Sequence, residues 1–359
     1  MPAYKDEKQN TWYCQFYYED WQGNKRKKKK RGFKTKKEAQ EYYTNYMVMK
    51  SGELNMLFGD FVEIYINDMK SRIRENTMTT KEYIINLKIL PYFKDKKINE
   101  ITVSDVRQWQ ASLMESGYKD TYLNTVNTQL SSIFNYACKY YSLKENPCRI
   151  AGSIGKSHAN EMQIYTREQF EKFSDCLMNK RISWMGFQVL YYTGVRIGEL
   201  LALQIGDVDF DKRVLTINKS LQRLKKRDVI TEPKTPRSNR KINLPEFLLI
   251  DLQDYINSMG VVKKSDRLFP ATKHFFENEK SRAVKESGLP CIRLHDLRHS
   301  HASLLIELGF SPIAVAERMG HEKVSTTLNT YGHLFPNKQA GMAEKLNELY
   351  KEGFKNDKK

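Results

Sequence analysis

The sequence predicts a multidomain chain of three successive architectures: a small three-stranded β-sheet plus helix, an all-α helical bundle, and a mixed, mainly α domain with a small antiparallel β-sheet. Three observations carry this expectation. The first fifty residues alternate apolar and polar side chains at the two-residue period of a strand, then give a helix-start signal. From Met56 to about Tyr141 the apolar residues recur at helical spacing. Beyond that, helical stretches are interrupted by one turn-rich, strand-like region from Asp207 to Ile242. A length of 359 residues also asks for two or three domains rather than one.

Taken in order, Trp12, Cys14, Phe16 and Tyr18 alternate with Tyr13, Gln15 and Tyr17, and the turn residues Gln22-Gly23-Asn24 follow. The next strand is the basic run Lys25, Arg26, Lys27, Lys28, Lys29, Lys30 and Arg31. Thr35 as N-cap and Glu38 at the capping-box position then start a helix that runs to about Met49. Residues 51–55 read as a linker, and helices are expected over Leu57–Ser71, Thr77–Leu90, Thr102–Glu115 and Lys119–Tyr141. Asn146-Pro147 ends the last of them, because the residue before a proline is pushed out of the helical region. The Ser-, Gly- and Lys-bearing stretch 152–160 has the composition of an exposed connector. The expected domains are therefore 1–52, 53–150, a linker at 151–160, 161–336 and a helical tail at 337–359, whose Ala340, Met342, Ala343, Leu346, Leu349 and Tyr350 give it an apolar face.

Composition narrows the function classes. Sixty Lys plus Arg against 43 Asp plus Glu leave a formal charge of +17, and a polyanion that releases counterions on binding rewards such a surplus. Nucleic acid is the first partner class and an acidic membrane surface the second. Residues 1–50 hold thirteen Lys or Arg against six Asp or Glu, so this end is a candidate contact surface, and a basic strand can enter a major groove. No stretch approaches the roughly 18 apolar residues of a membrane span, and the first ten residues are polar, so neither a membrane protein nor a secreted one is expected. Five scattered cysteines without a CxxC pair argue against a disulfide framework and a thiolate zinc site, and the default compartment is a reducing cytoplasm.

The chemistry is expected in the third domain. In Thr193-Gly194-Val195-Arg196-Ile197-Gly198-Glu199, a guanidinium at a glycine-flanked helix start can face a phosphate while Glu199 holds it, although an Arg–Glu pair at this spacing is more often an ordinary helix-surface pair. A β-hairpin or three-stranded sheet edge is expected to carry Lys234 at its tip, where an isolated lysine is ordinarily just solvated surface. The run Arg293 to Leu305 contains three of the seven histidines. His295 and His299 share a helix face, but with no HExxH and no cysteine pair, metal ligation is not expected. His295 and Arg298 also point the same way, placing a proton-transfer group beside a phosphate-binding fork. Finally Gly320 breaks a helix after Met319, His321 follows, and Tyr331 falls near the end of the next helix. A phenol of ordinary pKa near 10 attacks a phosphodiester only with a base and positive charges beside it.

These segments, TGVRIGELLAL, EPKTPRSNRKINLP, HDLRHSHASLL and MGHEKVSTTLNTYGH, resemble in type and order the tyrosine recombinases, the phage-type integrases. The resemblance implies a catalytic set of Arg196, Lys234, His295, Arg298, His321 and Tyr331, with Glu199 as the helix-bracing acid and with His299, His301 and His333 as structural neighbours. By the resemblance, Tyr331 attacks a scissile phosphate to give a 3′-phosphotyrosine and a free 5′-hydroxyl, with no metal and no cofactor. It also implies that the arginines hold the non-bridging oxygens, Lys234 protonates the leaving oxygen, His295 assists the tyrosine proton and His321 donates to the phosphate. The first fifty residues are similar to the arm-type DNA-binding domain of phage and conjugative-transposon integrases, with Lys25 to Arg31 as its DNA contacts, and residues 53–150 to a core-binding domain. The partners so implied are double-stranded DNA at core and arm attachment sites, three further copies in a homotetramer with tail exchange, an excisionase and a host DNA-bending protein, in the cytoplasm of a bacterial host. Two rivals stand beside this reading: a catalytically silent DNA-binding regulator and a type IB topoisomerase.

Overall fold

A computed structural model describes residues 2–7, 9–19, 25–51, 54–156, 162–224, 227–232 and 236–335. The turn expected at 22–24, residues 157–160 of the connector, Lys234 and the tail 337–359 lie outside the described residues. The chain divides into two compact units, 1–160 and 161–359.

In the first unit, β1 (Ala3–Asp6), β2 (Thr11–Glu19) and β3 (Lys25–Phe33) form an antiparallel sheet in the order β1-β2-β3, followed by α1 (Lys36–Ser51). Thr35 caps the helix from its side chain to the Glu38 N–H, and Glu38 accepts from the Lys34 N–H. Cys14, Phe16 and Ala39 are buried, with Trp12, Phe33, Tyr42 and Tyr43 packed round them. Pairing places Lys28 opposite Phe16 and Lys30 opposite Cys14, whereas Lys27 and Lys29 lie opposite Tyr17 and Gln15. Because paired residues point to the same face, the basic run is split: Lys28 and Lys30 rim the core, and Lys27 and Lys29 stand on the outer face. There the Lys29 ammonium lies 4.2 Å from the Tyr13 ring centroid and Lys27 5.9 Å from that of Tyr17.

The helices of the first unit are α2 (Phe58–Lys70), α3 (Glu75–Ile84), α4 (Leu90–Phe93), α5 (Val103–Glu115), α6 (Asp120–Tyr141) and α7 (Pro147–Ala151). Phe58, Phe61, Phe93, Trp109, Ile133 and Phe134 build their core. The third helix does not stop before Pro91 as expected. Residues Ile85–Ile89 form a π-helical turn, in which the Leu90 N–H bonds to the Ile85 carbonyl five residues back, and the helix continues through Pro91 to Phe93. A π turn shifts the hydrogen-bond register, so the missing proline N–H interrupts the ladder there rather than ending the helix. The Lys88 carbonyl accepts from the indole of buried Trp109, at 2.8 Å.

The second unit is built round α9 (Arg181–Thr193), whose Met185, Phe187, Val189, Leu190 and Tyr191 are buried because the helix is apolar on nearly every side. α8 (Arg167–Asp175) precedes it behind a Thr166/Gln169 capping box. The short α10 (Ile197–Ala202) follows, then β4 (Val208–Asp209) and β5 (Val214–Ile217), which pair with β8 (Arg240–Asn243) in the order β4-β5-β8. Between them β6 (Ser220–Leu224) and β7 (Arg227–Thr231) make a separate two-stranded hairpin. α11 (Glu246–Asn257) and α12 (Lys273–Ser287) complete the main core. α13 (Asp296–Glu307), α14 (Pro312–Met319) and α15 (Val324–Tyr331) gather round a smaller one of Ala302, Ile306, Val315, Met319 and Tyr331. Among the described residues no helix is long and apolar enough to cross a membrane.

Candidate active site

Arg196 is the N-cap of α10, and Glu199 one turn on accepts from both its backbone N–H, at 3.0 Å, and its guanidinium, at 2.7 Å. The same carboxylate receives a second guanidinium. Arg240 on β8 reaches Glu199 Oε2 at 2.9 Å and Oε1 at 3.3 Å, with both side chains 6 % exposed, while its Nε donates to the Arg318 carbonyl at 3.0 Å. Burial alone would raise the Glu199 carboxyl, but the charges and hydrogen bonds of Arg240 and Arg196 outweigh it and hold the group below the usual glutamate value. The carboxylate therefore fixes two elements at once, the start of α10 and the edge strand β8.

Arg298 is 2 % exposed. It is held by main-chain carbonyls rather than by a carboxylate: one terminal nitrogen donates to Gly194 at 2.6 Å and the other to Met319. A guanidinium has five N–H groups, so three remain for a ligand. Both carbonyl acceptors depend on glycines. Gly194 caps α9 at φ +66°, and a Cβ there would lie 2.6 Å from the His301 ring; Gly320 caps α14 at φ +66°, and a Cβ would lie 2.9 Å from the Arg240 side chain. Burial pushes the Arg298 pKa down, and the nearby charges of Arg196 and Arg240 push the same way, against the pull of Glu199. Burying a cation with only dipolar partners is costly, and an entering anion relieves that cost.

The histidines line this cluster. His321 is set by a 2.8 Å hydrogen bond between Nδ1 and the buried Thr327 hydroxyl. Burial lowers its pKa to about 4, with Arg298, Arg196 and Arg240 adding to the fall. His295, the N-cap of α13, is pulled down chiefly by the protein packed around it, then by His299, Arg298 and Arg196, while an exposed edge lets water offset part of that desolvation. His301 is fully enclosed and neutral, its pKa lowered by burial to about 3, and its Nε2 accepts from the Arg318 Nε at 3.1 Å, a structural role. His333 is exposed beyond α15.

Tyr331 closes the site. It is 1 % exposed at the end of α15, and burial raises its pKa to about 12 against the pull of Arg298. Its hydroxyl lies 2.6 Å from His299 Nδ1, and the His299 ring stands edge-on to that of His295, 4.9 Å between centroids. The fold thus brings Arg196, His295, Arg298, His321 and Tyr331 into one unit. Lys234 lies outside the described residues, just beyond the end of β7. Two residues of the cluster are not among the expected catalytic set. His299, a structural neighbour by the resemblance, touches the tyrosine hydroxyl. Arg240 sits in a basic stretch, yet alternation along Arg240-Lys241-Ile242-Asn243 puts it on the inward face with Ile242.

The phage integrase family profile matches residues 157–338, just over half of the chain. The chain belongs to that family. The profiles of the phage integrase N-terminal SAM-like domain and of the arm DNA-binding domain match residues 57–114 and 2–46 of this recombinase. It is 34 % identical over 306 residues to the ICEBs1 integrase of Bacillus subtilis, covering 81 % of this chain and 83 % of that one. It is 24 % identical to the transposase of transposon Tn916 from Enterococcus faecalis, over 74 % of this chain and 72 % of that one. The fold is that of the Tn1549 transposon integrase solved with a circular intermediate DNA, at a TM-score of 0.69 and 22 % identity over 80 % of this chain and 99 % of that chain. It is also that of a lambda integrase dimer bound to a core site, at 0.61 and 15 % identity over 93 % and 96 %. The enzyme is a tyrosine-type site-specific recombinase, an integrase of mobile genetic elements.

Proposed function

We propose that Tyr331 is the nucleophile that cuts and rejoins DNA through a 3′-phosphotyrosine, for both integration and excision. The observation that carries this is the buried Arg298, hydrogen-bonded among the described residues to carbonyl dipoles and flanked by Arg196, with the Tyr331 hydroxyl on the same cluster. In this reading Arg196 and Arg298 grip the two non-bridging oxygens and stabilise the charge of the five-coordinate phosphate. His321 donates to the same phosphate, His295 assists at the tyrosine, and Lys234 protonates the departing 5′-oxygen. Energy stays in the phosphotyrosine bond, so neither ATP nor a metal enters.

The experiment is a nicked suicide duplex bearing the attachment-site junction of the element that encodes the chain. Wild-type protein accumulates an adduct at the DNA 3′ end that EDTA does not prevent, and Tyr331→Phe forms none. DNA binding by wild type with no adduct would sink the phosphotyrosine reading. The same trapped adducts, sized in solution, test the homotetramer proposed here, in which residues 53–150 and 161–336 each bind the core site and 337–359 are exchanged between protomers. An excisionase and a host DNA-bending protein are the accessory partners in this proposal.

Residues 1–52 are assigned to the arm sites. The split of the basic strand sharpens this assignment, since Lys27 and Lys29 stand on the outer face with Tyr13 and Tyr17, and Tyr17 is 64 % exposed. Lys27→Ala with Lys29→Ala is expected to lower the slope of log K against log salt for arm-site DNA by about 1–2. Lys28→Ala with Lys30→Ala is expected to change it less. A larger effect from the second pair in a salt titration would place the DNA on the helix side of the sheet instead.

A further inference from the structure

We propose that His299 is the general base of the reaction: it holds the Tyr331 hydroxyl ready for attack and takes its proton as the bond to phosphorus forms. This rests on the phosphotyrosine reading above and moves the tyrosine proton, given there to His295, to the histidine that touches the hydroxyl.

The geometry is direct. Tyr331 Oη and His299 Nδ1 are 2.6 Å apart, and α13 and α15, which carry them, are tied through the shared core of Ala302, Ile306 and Met319. His295 stands edge-on to His299 rather than against the phenol, and His321 spends its Nδ1 on Thr327. Within the described residues, His299 is thus the histidine in hydrogen-bond contact with the attacking oxygen. With its ring proton on Nε2, His299 accepts at Nδ1 from the tyrosine hydroxyl. In cleavage the Oη–H proton passes to Nδ1, the oxygen bonds to phosphorus, and the P–O5′ bond breaks with its electron pair leaving on the 5′-oxygen, which is protonated separately. In rejoining, a 5′-hydroxyl attacks and gives its proton back to the group that had protonated the leaving 5′-oxygen, the P–Oη bond breaks with its electron pair on Oη, and the imidazolium returns its proton to Tyr331. The proton count closes on this pair over one cycle, which is what a reversible strand transfer requires.

The surroundings suit the role. Burial is the largest influence on His299 and lowers its pKa; Asp296 beside it opposes this, while Arg293 and Arg298 lower it further, and His295, His321 and Tyr331 complete the groups that face it. The ring is therefore neutral at pH 7 and free to accept a proton. Tyr331, raised to about 12, does not ionise unaided at that pH. A general base of this kind contributes about 10²- to 10⁴-fold.

The test is single-turnover cleavage of the nicked attachment-site duplex by wild type, His299→Ala and His299→Asn, between pH 5.5 and 9.5. Wild-type cleavage should rise with pH and level off below the ordinary histidine value near 6.5. His299→Ala should cleave about 10²- to 10⁴-fold more slowly, lose the plateau and keep rising into alkali, and recover part of its rate with added imidazole. His299→Asn keeps a hydrogen-bond acceptor near the hydroxyl but takes no proton, so it should stay as slow, and it carries the test if the alanine variant does not fold. Cleavage by His299→Ala within about threefold of wild type with an unchanged pH profile would overturn the proposal, since a general base contributes far more than that. So would a wild-type rate in His299→Asn, which would leave His299 a positioning residue. Failure of the parent reading looks different, because wild-type protein itself would then form no adduct.

Discussion

Arg298→Lys is expected to lower DNA cleavage by about 10²- to 10³-fold while leaving DNA binding nearly intact. The guanidinium satisfies the Gly194 and Met319 carbonyls on two terminal nitrogens at once and still has N–H groups to spare for an anion. A lysine ammonium is a single point on a flexible stem and cannot span both carbonyls while also facing the phosphate. The charge stays, and so does the electrostatic attraction for DNA, but the planar fork matched to two phosphate oxygens is lost. Since the fork acts on charge that develops only in the five-coordinate phosphate, the loss falls on the rate of adduct formation rather than on affinity. Quench-flow on the suicide duplex with saturating enzyme measures that rate. A variant that cleaves normally but binds weakly would show that Arg298 serves ground-state binding alone.

The second large effect concerns stability. Glu199→Gln keeps the shape of the side chain but removes the charge shared by Arg196 and Arg240. Arg240 is 6 % exposed, and its guanidinium would be left in the interior with only carbonyl partners. Breaking a buried ion pair by deleting one member costs about 3–5 kcal/mol. For a unit of this size that is a fall of roughly 6–20 °C in its melting temperature. Arg196→Ala should cost far less stability, because Arg196 is 38 % exposed and Glu199 keeps Arg240, yet it should cut cleavage strongly. The pH dependence has a definite sign. The folded-state pKa of Glu199 is depressed, so its contribution is present above the unfolded carboxylate value near 4.3 and fades as pH falls toward the lowered one. Calorimetry of wild type and variant at pH 7 and near pH 4 should show the gap narrowing, and equal melting points at pH 7 would mean that Arg240 finds a substitute partner.

Much of this protein is written locally. The alternation of Trp12, Cys14 and Phe16, the Thr35 and Thr102 caps, and the helical spacing from Leu57 to Tyr141 rest on interactions within a few residues, and these elements form close to where the sequence puts them. Arg196 with Glu199, and His295 with Arg298, are legible for the same reason: each pair lies within one helical turn. Tertiary structure decided the rest. The π turn at Ile85–Ile89 carries a helix past Pro91 toward a core that claims Phe93, a reward that a local rule about proline does not contain. Arg240 meets Glu199 across 41 residues, Arg298 meets the Gly194 carbonyl across 104, and His299 meets Tyr331 across 32. The residue types that can do phosphoryl transfer are fixed by the chain, but which histidine touches the tyrosine and which arginine is braced by the glutamate depend on how α13, α15 and β8 pack, because hydrogen bonds of under 3 Å are set by those docked positions and not by spacing along the sequence.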